Sequence, residues 1–202
     1  MSALADREDC VALEESVQAL SLLQEQGKIR YFGLSNETPW GVMHCLALAR
    51  EKGMARVQSV QNPYSLLNRS YEVGLSEVGL REKVGLLAYS PLAFGVLTGK
   101  YRKKPWPEEG RLTLYSRFSR YTNKQAFLAV ERYAEIAQQA GLSLTTLALA
   151  FVNQRDFVCS NIIGATTMAQ LKENIDSVTV RLSEQTLEAI DAVHAEISNP
   201  CP

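Results

Sequence analysis

The residues best suited to chemistry lie in residues 161–174, NIIGATTMAQLKEN. Asn161, Ile162 and Ile163 are too few for a helix and suit a buried strand end, while Gly164 lets the backbone turn or a ligand approach closely. Thr167 stands where a helix N-cap belongs. Gln170 follows at capping-box spacing, so a helix begins here with unpaired amides above the strand, an arrangement that attracts phosphate. An ordinary capped strand-to-helix turn has the same residues, so the rest of the chain decides. Ser35-Asn36, Gln61-Asn62 and Tyr89-Ser90 each follow a β-prone run, adding hydroxyls, amides and an aromatic face.

The elements that must position these residues alternate. Residues 10–26 carry apolar side chains at mixed three and four spacings and stop at Gly27, which predicts a helix. KIRYFGL at 28–34 reads as a strand, and Thr38-Pro39 opens a helix that runs to Gly53. Val57 and Val60 mark a second strand, with Pro63 ending its pairing. Residues 71–83 predict a helix with Val73, Leu75, Val78 and Leu80 on its apolar side. VGLLAY at 84–89 is apolar on both faces, as a covered parallel strand is. Residues 93–121 form a long Gly-, Pro- and base-rich connection and read as the least structured part. Helices at 122–140 and 143–154, a strand at 157–163, a helix at 168–178 and a last helix capped by Ser183 complete the order. This alternation predicts α/β architecture, four parallel strands with outer helices, with ligands at the carboxyl ends of the strands.

Composition narrows the partners. With 202 residues and 46% hydrophobic content, the chain can bury a sizeable core. Lys plus Arg number 21 against 22 for Asp plus Glu, a net charge of -1 that gives no global attraction to nucleic acid or an anionic membrane. Cys10, Cys45, Cys159 and Cys201 lie far apart, which argues against a metal site and fits free thiols in a cytoplasmic compartment. No apolar run reaches the length of a membrane span, and the acidic start does not read as a targeting peptide.

Taken together, GLSN at 33–36, the QNPYS run from Gln61, YSPLAFGVLTGKY from Tyr89 and IIGATTMAQLKEN ending at Asn174 resemble the aldo-keto reductases. Those proteins are TIM-type (β/α)8 barrels that use NADP(H). The four motifs are similar to the ends of the fifth to eighth strands, in order, and the nearest branch is the Tas-like one, related to potassium channel β-subunits. The resemblance covers nearly all of residues 1–202 as about the second half of such a domain. It implies that Ser35, Asn36 and Gln61 hydrogen-bond the nicotinamide carboxamide and that Tyr89 stacks on the ring. It implies that Ser90, Leu92 and the loop from Gly95 to Lys100 cover the pyrophosphate. Gly164, Thr166, Gln170, Glu173 and Asn174 would hold the adenosine end and its 2′-phosphate. Among the bases of the long connection, Lys100 and Arg117 are the favoured phosphate clamps, with Arg111 as the alternative to Arg117 and a solvated loop as the bland reading.

The resemblance also implies what to look for and not find. The family's chemistry needs a tyrosine acid, a lysine, an aspartate and a histidine on strands two to four, and none of these is carried over onto this chain. His44 and His194 fall on helices and read as surface residues. No catalytic or metal-binding residue is therefore assigned. Two functions follow as expectations: reduction of small-molecule carbonyls with NADP(H), once completed by the missing half, or a non-catalytic nucleotide-binding module. The two edges of a half barrel are expected to promote self-association.

Overall fold

The computed structural model describes residues 11–115 and 117–202, so Cys10, the expected start of the first helix, lies outside the described residues. Four strands lie in one sheet in the order β1-β2-β3-β4, parallel and flanked by helices: β1 Gly33–Ser35, β2 Ser59–Pro63, β3 Gly85–Tyr89 and β4 Val158–Asn161. The described residues divide into two compact units, one of residues 11–62 and 71–87 and one of residues 63–70, 88–115 and 117–202.

In the first unit, α1 (Leu13–Glu25) stops where expected, at Gly27 with φ 70°. The strand expected over 28–34 is shorter and later. Lys28 and Ile29 both donate their amides to the Leu23 carbonyl, so these residues close the helix and cannot pair with a strand. Pairing begins at Gly33, where a Cβ would sit 2.5 Å from Ser59 Oγ, and the register is Gly33 with Ser59, Leu34 with Val60 and Ser35 with Gln61. Thr38 caps α2 (Pro39–Lys52) by accepting from the Gly41 amide at 3.2 Å, and Gly53 ends it in a left-handed conformation. β2 ends at Pro63 as expected, with proline as the last residue, where its missing N–H matters least. The helix expected at 71–83 is broken by Gly74 (φ 95°) into a short 3-10 turn, Ser70–Glu72, and α3, Leu75–Glu82. Its apolar side is also different: Leu75 and Gly79 face inward, while Val73 is 76% and Leu80 53% exposed. Gly79 has no room for a side chain, since a Cβ would lie 2.9 Å from the Val84 carbonyl oxygen. The core of this unit is built from Val42, Cys45, Leu46, Val57, Val60 and Leu86, all essentially buried.

In the second unit, the connection at 93–121 is the main departure from expectation. It holds a 3-10 segment, Ala93–Thr98, and a short helix, α4 (Arg111–Leu114), and it buries Val96, Leu97, Tyr101, Leu112 and Tyr121. Its aromatic rings pair edge to face, Phe94 with Tyr121 at 4.8 Å and with Phe118 at 4.9 Å, and Tyr101 with Trp106 at 5.4 Å. Such pairs add stability beyond the area they bury, which outweighs the turn-forming composition. Asn123 caps α5 (Lys124–Gln139) and Ser143 caps α6 (Leu144–Asn153). α6 is apolar nearly all round and buried, the central helix of this unit. β4 is shorter than expected and half exposed, with Ile162 39% exposed, so it is not the buried strand end the sequence suggests. β3 is its neighbour in the sheet order, reached by Ile162 N–H donating to the Ala88 carbonyl at 2.8 Å. Thr167 caps α7 (Met168–Asp176), and Ser183 caps α8 (Glu184–Glu196). Among the described residues no helix is long and apolar enough to cross a membrane.

Candidate cofactor site

In the first unit the structure brings Ser35, Asn36 and Gln61 together. β1 and β2 end side by side, and the Gln61 carbonyl accepts from the Asn36 amide at 3.0 Å and from Ser35 Oγ at 3.3 Å. Asn36 Nδ2 in turn donates to Ser35 Oγ at 3.3 Å. All three residues are exposed, and Asn36 holds φ 55°, a left-handed conformation that asparagine tolerates better than most residues. Among the described residues the Gln61 side-chain amide has no hydrogen-bond partner, so it offers a donor and an acceptor to a ligand.

A buried residue holds this pair of strand ends. Asn62, 8% exposed, accepts from the Glu37 amide and donates to the Glu37 carbonyl, both at 3.0 Å. The sequence marks Asn62 only as a polar strand tip. Its role needs the register of β1 against β2, which residue types alone do not give.

In the second unit Tyr89 closes β3, half buried, and Ser90 follows with φ 54°. Ala93 (φ 49°), Phe94 (φ 57°) and Gly95 (φ 92°) continue the left-handed backbone, pinned by the Leu92 carbonyl, which accepts from Gly95 at 2.8 Å and Leu97 at 3.2 Å. Left-handed alanine and phenylalanine are uncommon, and such strain gathers at functional sites. Lys100 packs where a side chain on Gly95 would go: its Nζ is 3.3 Å from the Cβ position, and it lies 5.2 Å from the Tyr101 ring centre. The left-handed φ at position 95 favours glycine, and the Lys100 side chain occupies the space it leaves.

Both candidate arginines stand on the same aromatic surface. Arg111 lies 5.5 Å from the Phe118 ring centre and 5.8 Å from that of Phe94, and Arg117 lies 5.1 Å from Phe118 and 5.8 Å from Tyr115. Among the described residues Lys100, Arg111 and Arg117 form no ion pair. Arg102 differs, because it reaches Glu131 at 3.0 Å and holds that carboxyl below its ordinary range. Among the described residues Lys100, Arg111 and Arg117 are therefore without a carboxylate partner, as other bases of the connection are, and the choice between the two arginines stays open.

At the end of β4, Gly164 has neither a left-handed φ nor any atom within 4 Å of a built Cβ. The turn does not require glycine there; the space over it is open. Asn174, 3% exposed, donates to the Gly164 carbonyl at 3.3 Å. Gln170 departs from a strict capping box: its N–H bonds Thr167 Oγ1 at 3.2 Å, but its side-chain oxygen accepts from the Thr166 amide at 2.9 Å. Glu173 accepts from Ser143 Oγ at 2.6 Å, tying α7 to the start of α6. Among the described residues no group of three His, Cys, Asp or Glu could hold a metal ion.

Parallel strands whose carboxyl ends carry amides, hydroxyls and an aromatic ring, with helices flanking the sheet, define an α/β protein. Residues 3–195 match the aldo/keto reductase family, and this chain belongs to that family of oxidoreductases. It is 51% identical over 197 residues to the protein tas of Escherichia coli, covering 98% of this chain and 57% of that protein. An aldo-keto reductase of Babesia bovis is 45% identical over 174 residues, 83% of this chain and 61% of its own length. A potassium channel beta-subunit-like protein of Schizosaccharomyces pombe is 30% identical over 199 residues, 94% and 58% of the two chains. The chain thus spans under two thirds of the length of each of these relatives.

Proposed function

We propose that this chain binds NADP(H) and serves a reductase that acts on small-molecule aldehydes or ketones in the cytoplasm. The observation that carries this reading is the Ser35, Asn36 and Gln61 cluster, in which an unengaged side-chain amide stands beside an exposed asparagine and serine. A nicotinamide carboxamide has one acceptor and one two-proton donor, and these side chains answer both. Within the second unit, Tyr89 offers a ring face, Lys100 with Arg117 or Arg111 offers charge for phosphates, and Gly164, Thr166, Gln170, Glu173 and Asn174 offer open space and polar groups to an adenosine end. When bound, the cofactor supplies hydride to the carbonyl carbon. The residues of this chain bind and orient it; none of those singled out is assigned the proton transfer.

The preference for NADP(H) over NAD(H) rests on the likeness to the family and on the residues read at the adenosine end, Thr166, Gln170 and Asn174. Titration with NADPH and NADH, followed by quenching of Trp40 and Trp106 fluorescence and by calorimetry, tests the reading. NADPH binding with a weaker response to NADH supports it, and no binding by the folded chain removes it. A second reading, a nucleotide-binding module without turnover, is favoured by the likeness to the channel-subunit protein. Carbonyl-dependent NADPH oxidation by the chain would exclude that alternative.

A further inference from the structure

We infer that Glu37 is a positioning residue for the nicotinamide end of the site: its buried carboxylate clamps the start of α2 and so fixes Asn36 in the backbone conformation that presents it beside Ser35 and Gln61. The inference rests on the cofactor reading of Asn36, and everything it uses lies within the first unit.

Glu37 is only 9% exposed, an unusual place for a carboxylate, since burying a charge costs free energy unless hydrogen bonds answer it. The next residue supplies two. Glu37 Oε1 accepts from the Thr38 amide at 2.7 Å and from Thr38 Oγ1 at 3.3 Å, and Thr38 Oγ1 itself accepts from the Gly41 amide at 3.2 Å. The carboxylate therefore stands at the N-terminus of α2, where the helix dipole favours negative charge. Room for it depends on Gly41, because a Cβ there would collide with Glu37 Oε1 and Cδ. The backbone of Glu37 is held as well, its amide by Asn62 Oδ1 and its carbonyl by Asn62 Nδ2, both at 3.0 Å.

Asn36 is thereby fixed from both sides. On the strand side Ser35 pairs with Gln61, and the Asn36 amide donates to the Gln61 carbonyl at 3.0 Å. On the helix side the Asn62 bonds fix where residue 37 lies, and the carboxylate fixes how the chain turns from it into α2. Between these anchors Asn36 holds φ 55°, and a left-handed residue other than glycine persists only where its surroundings over-determine it.

Three variants test this. Glu37→Ala removes the clamp, Glu37→Gln keeps an oxygen that accepts from the Thr38 amide, and Gly41→Ala expels the carboxylate while leaving Glu37 in the chain. Exchange of the Asn36 and Glu37 amides in the free chain, neither of which the carboxylate touches, should quicken in Glu37→Ala and Gly41→Ala and stay slow in Glu37→Gln. NADPH should bind about fivefold more weakly to the two alanine variants, the loss of one net hydrogen bond, with 2′,5′-ADP unchanged and with full affinity in Glu37→Gln. Alanine favours helix over glycine, so a loss in Gly41→Ala is not an effect of helix propensity. Should Glu37→Ala fail to fold, Gly41→Ala carries the same comparison. Unchanged exchange at Asn36 and Glu37 in either alanine variant overturns the inference, as does a Glu37→Gln variant that behaves like Glu37→Ala. Equal losses for NADPH and 2′,5′-ADP also overturn it, since Glu37 would then be merely structural. If the unmodified chain binds no NADPH, the cofactor reading fails by itself, and the exchange result still decides whether Glu37 holds Asn36.

Discussion

At the scale of the residue, the most telling positions are those where the fold makes no demand. Gly164 needs no left-handed backbone and crowds no neighbour, so Gly164→Val should leave stability within about 0.5 kcal/mol, as surface substitutions usually do. The same change should reduce NADPH affinity at least several-fold if the adenosine end lies over this glycine. Calorimetry beside a thermal melt separates the two effects, and unaltered affinity would remove Gly164 from the site. Gln61→Ala and Tyr89→Ala should instead weaken nicotinamide-containing nucleotides more than 2′,5′-ADP; equal losses would undo their assignment.

Two buried thiols give a prediction in pH. Burial, with a further push from the Glu37 carboxylate, raises Cys45 to about 11, and burial raises Cys201 to about 11 against an opposing contact from Asn123. A folded pKa above the unfolded value means that the stability contribution is whole below the unfolded pKa, near 9, and is lost as pH climbs toward 11. Denaturation midpoints should therefore fall across that interval, and Cys45→Ala should flatten the decline. A slope unchanged by the substitution would show that Cys45 does not contribute to it.

At the scale of the element, what the sequence discloses is set by how local the cause is. Thr38, Thr167 and Ser183 cap helices as their types suggest, because a cap is decided within three residues. The candidate strand ends are equally legible as polar residues after apolar runs. β1 is not, because its length depends on Lys28 and Ile29 closing α1 and on the fit of Gly33 against Ser59. The packing of 93–121 is hidden for a similar reason: its order comes from Phe94 meeting Phe118 and Tyr121 across many residues, and the aromatic residues of the window do not show in sequence which of them meet. Asn62 is the clearest case of an element-level residue. Removing its amide takes two hydrogen bonds from the backbone of Glu37, so Asn62→Ala should cost about 2 kcal/mol in chemical denaturation. It should also weaken NADPH binding through Ser35 and Asn36, which the Glu37 backbone continues. Full stability in the variant would mean that water replaces the amide and that Asn62 does not hold the strand ends.

At the scale of the whole molecule, the sheet order makes β1 and β4 the terminal strands of the described sheet. A terminal strand presents backbone donors and acceptors to any strand that can reach them. β4 lacks the usual protection: it carries no charged residue or proline, and Cys159, Ser160 and Ile162 are exposed along and beside it. On α7, Met168 is 77% and Ile175 56% exposed, so apolar surface adjoins the polar edge in sequence. We expect copies of this chain to associate through these edges. Sedimentation velocity over the micromolar range should show mass rising with concentration, and Ser160→Lys should shift the distribution toward monomer, because a lysine on an edge opposes strand addition. Addition of NADPH distinguishes the consequences for function. If association leaves nucleotide affinity unchanged, the edges and the cofactor residues are independent surfaces; if affinity rises with association, assembly completes the site. A chain that stays monomeric throughout, in both forms, would show that these edges recruit no second copy.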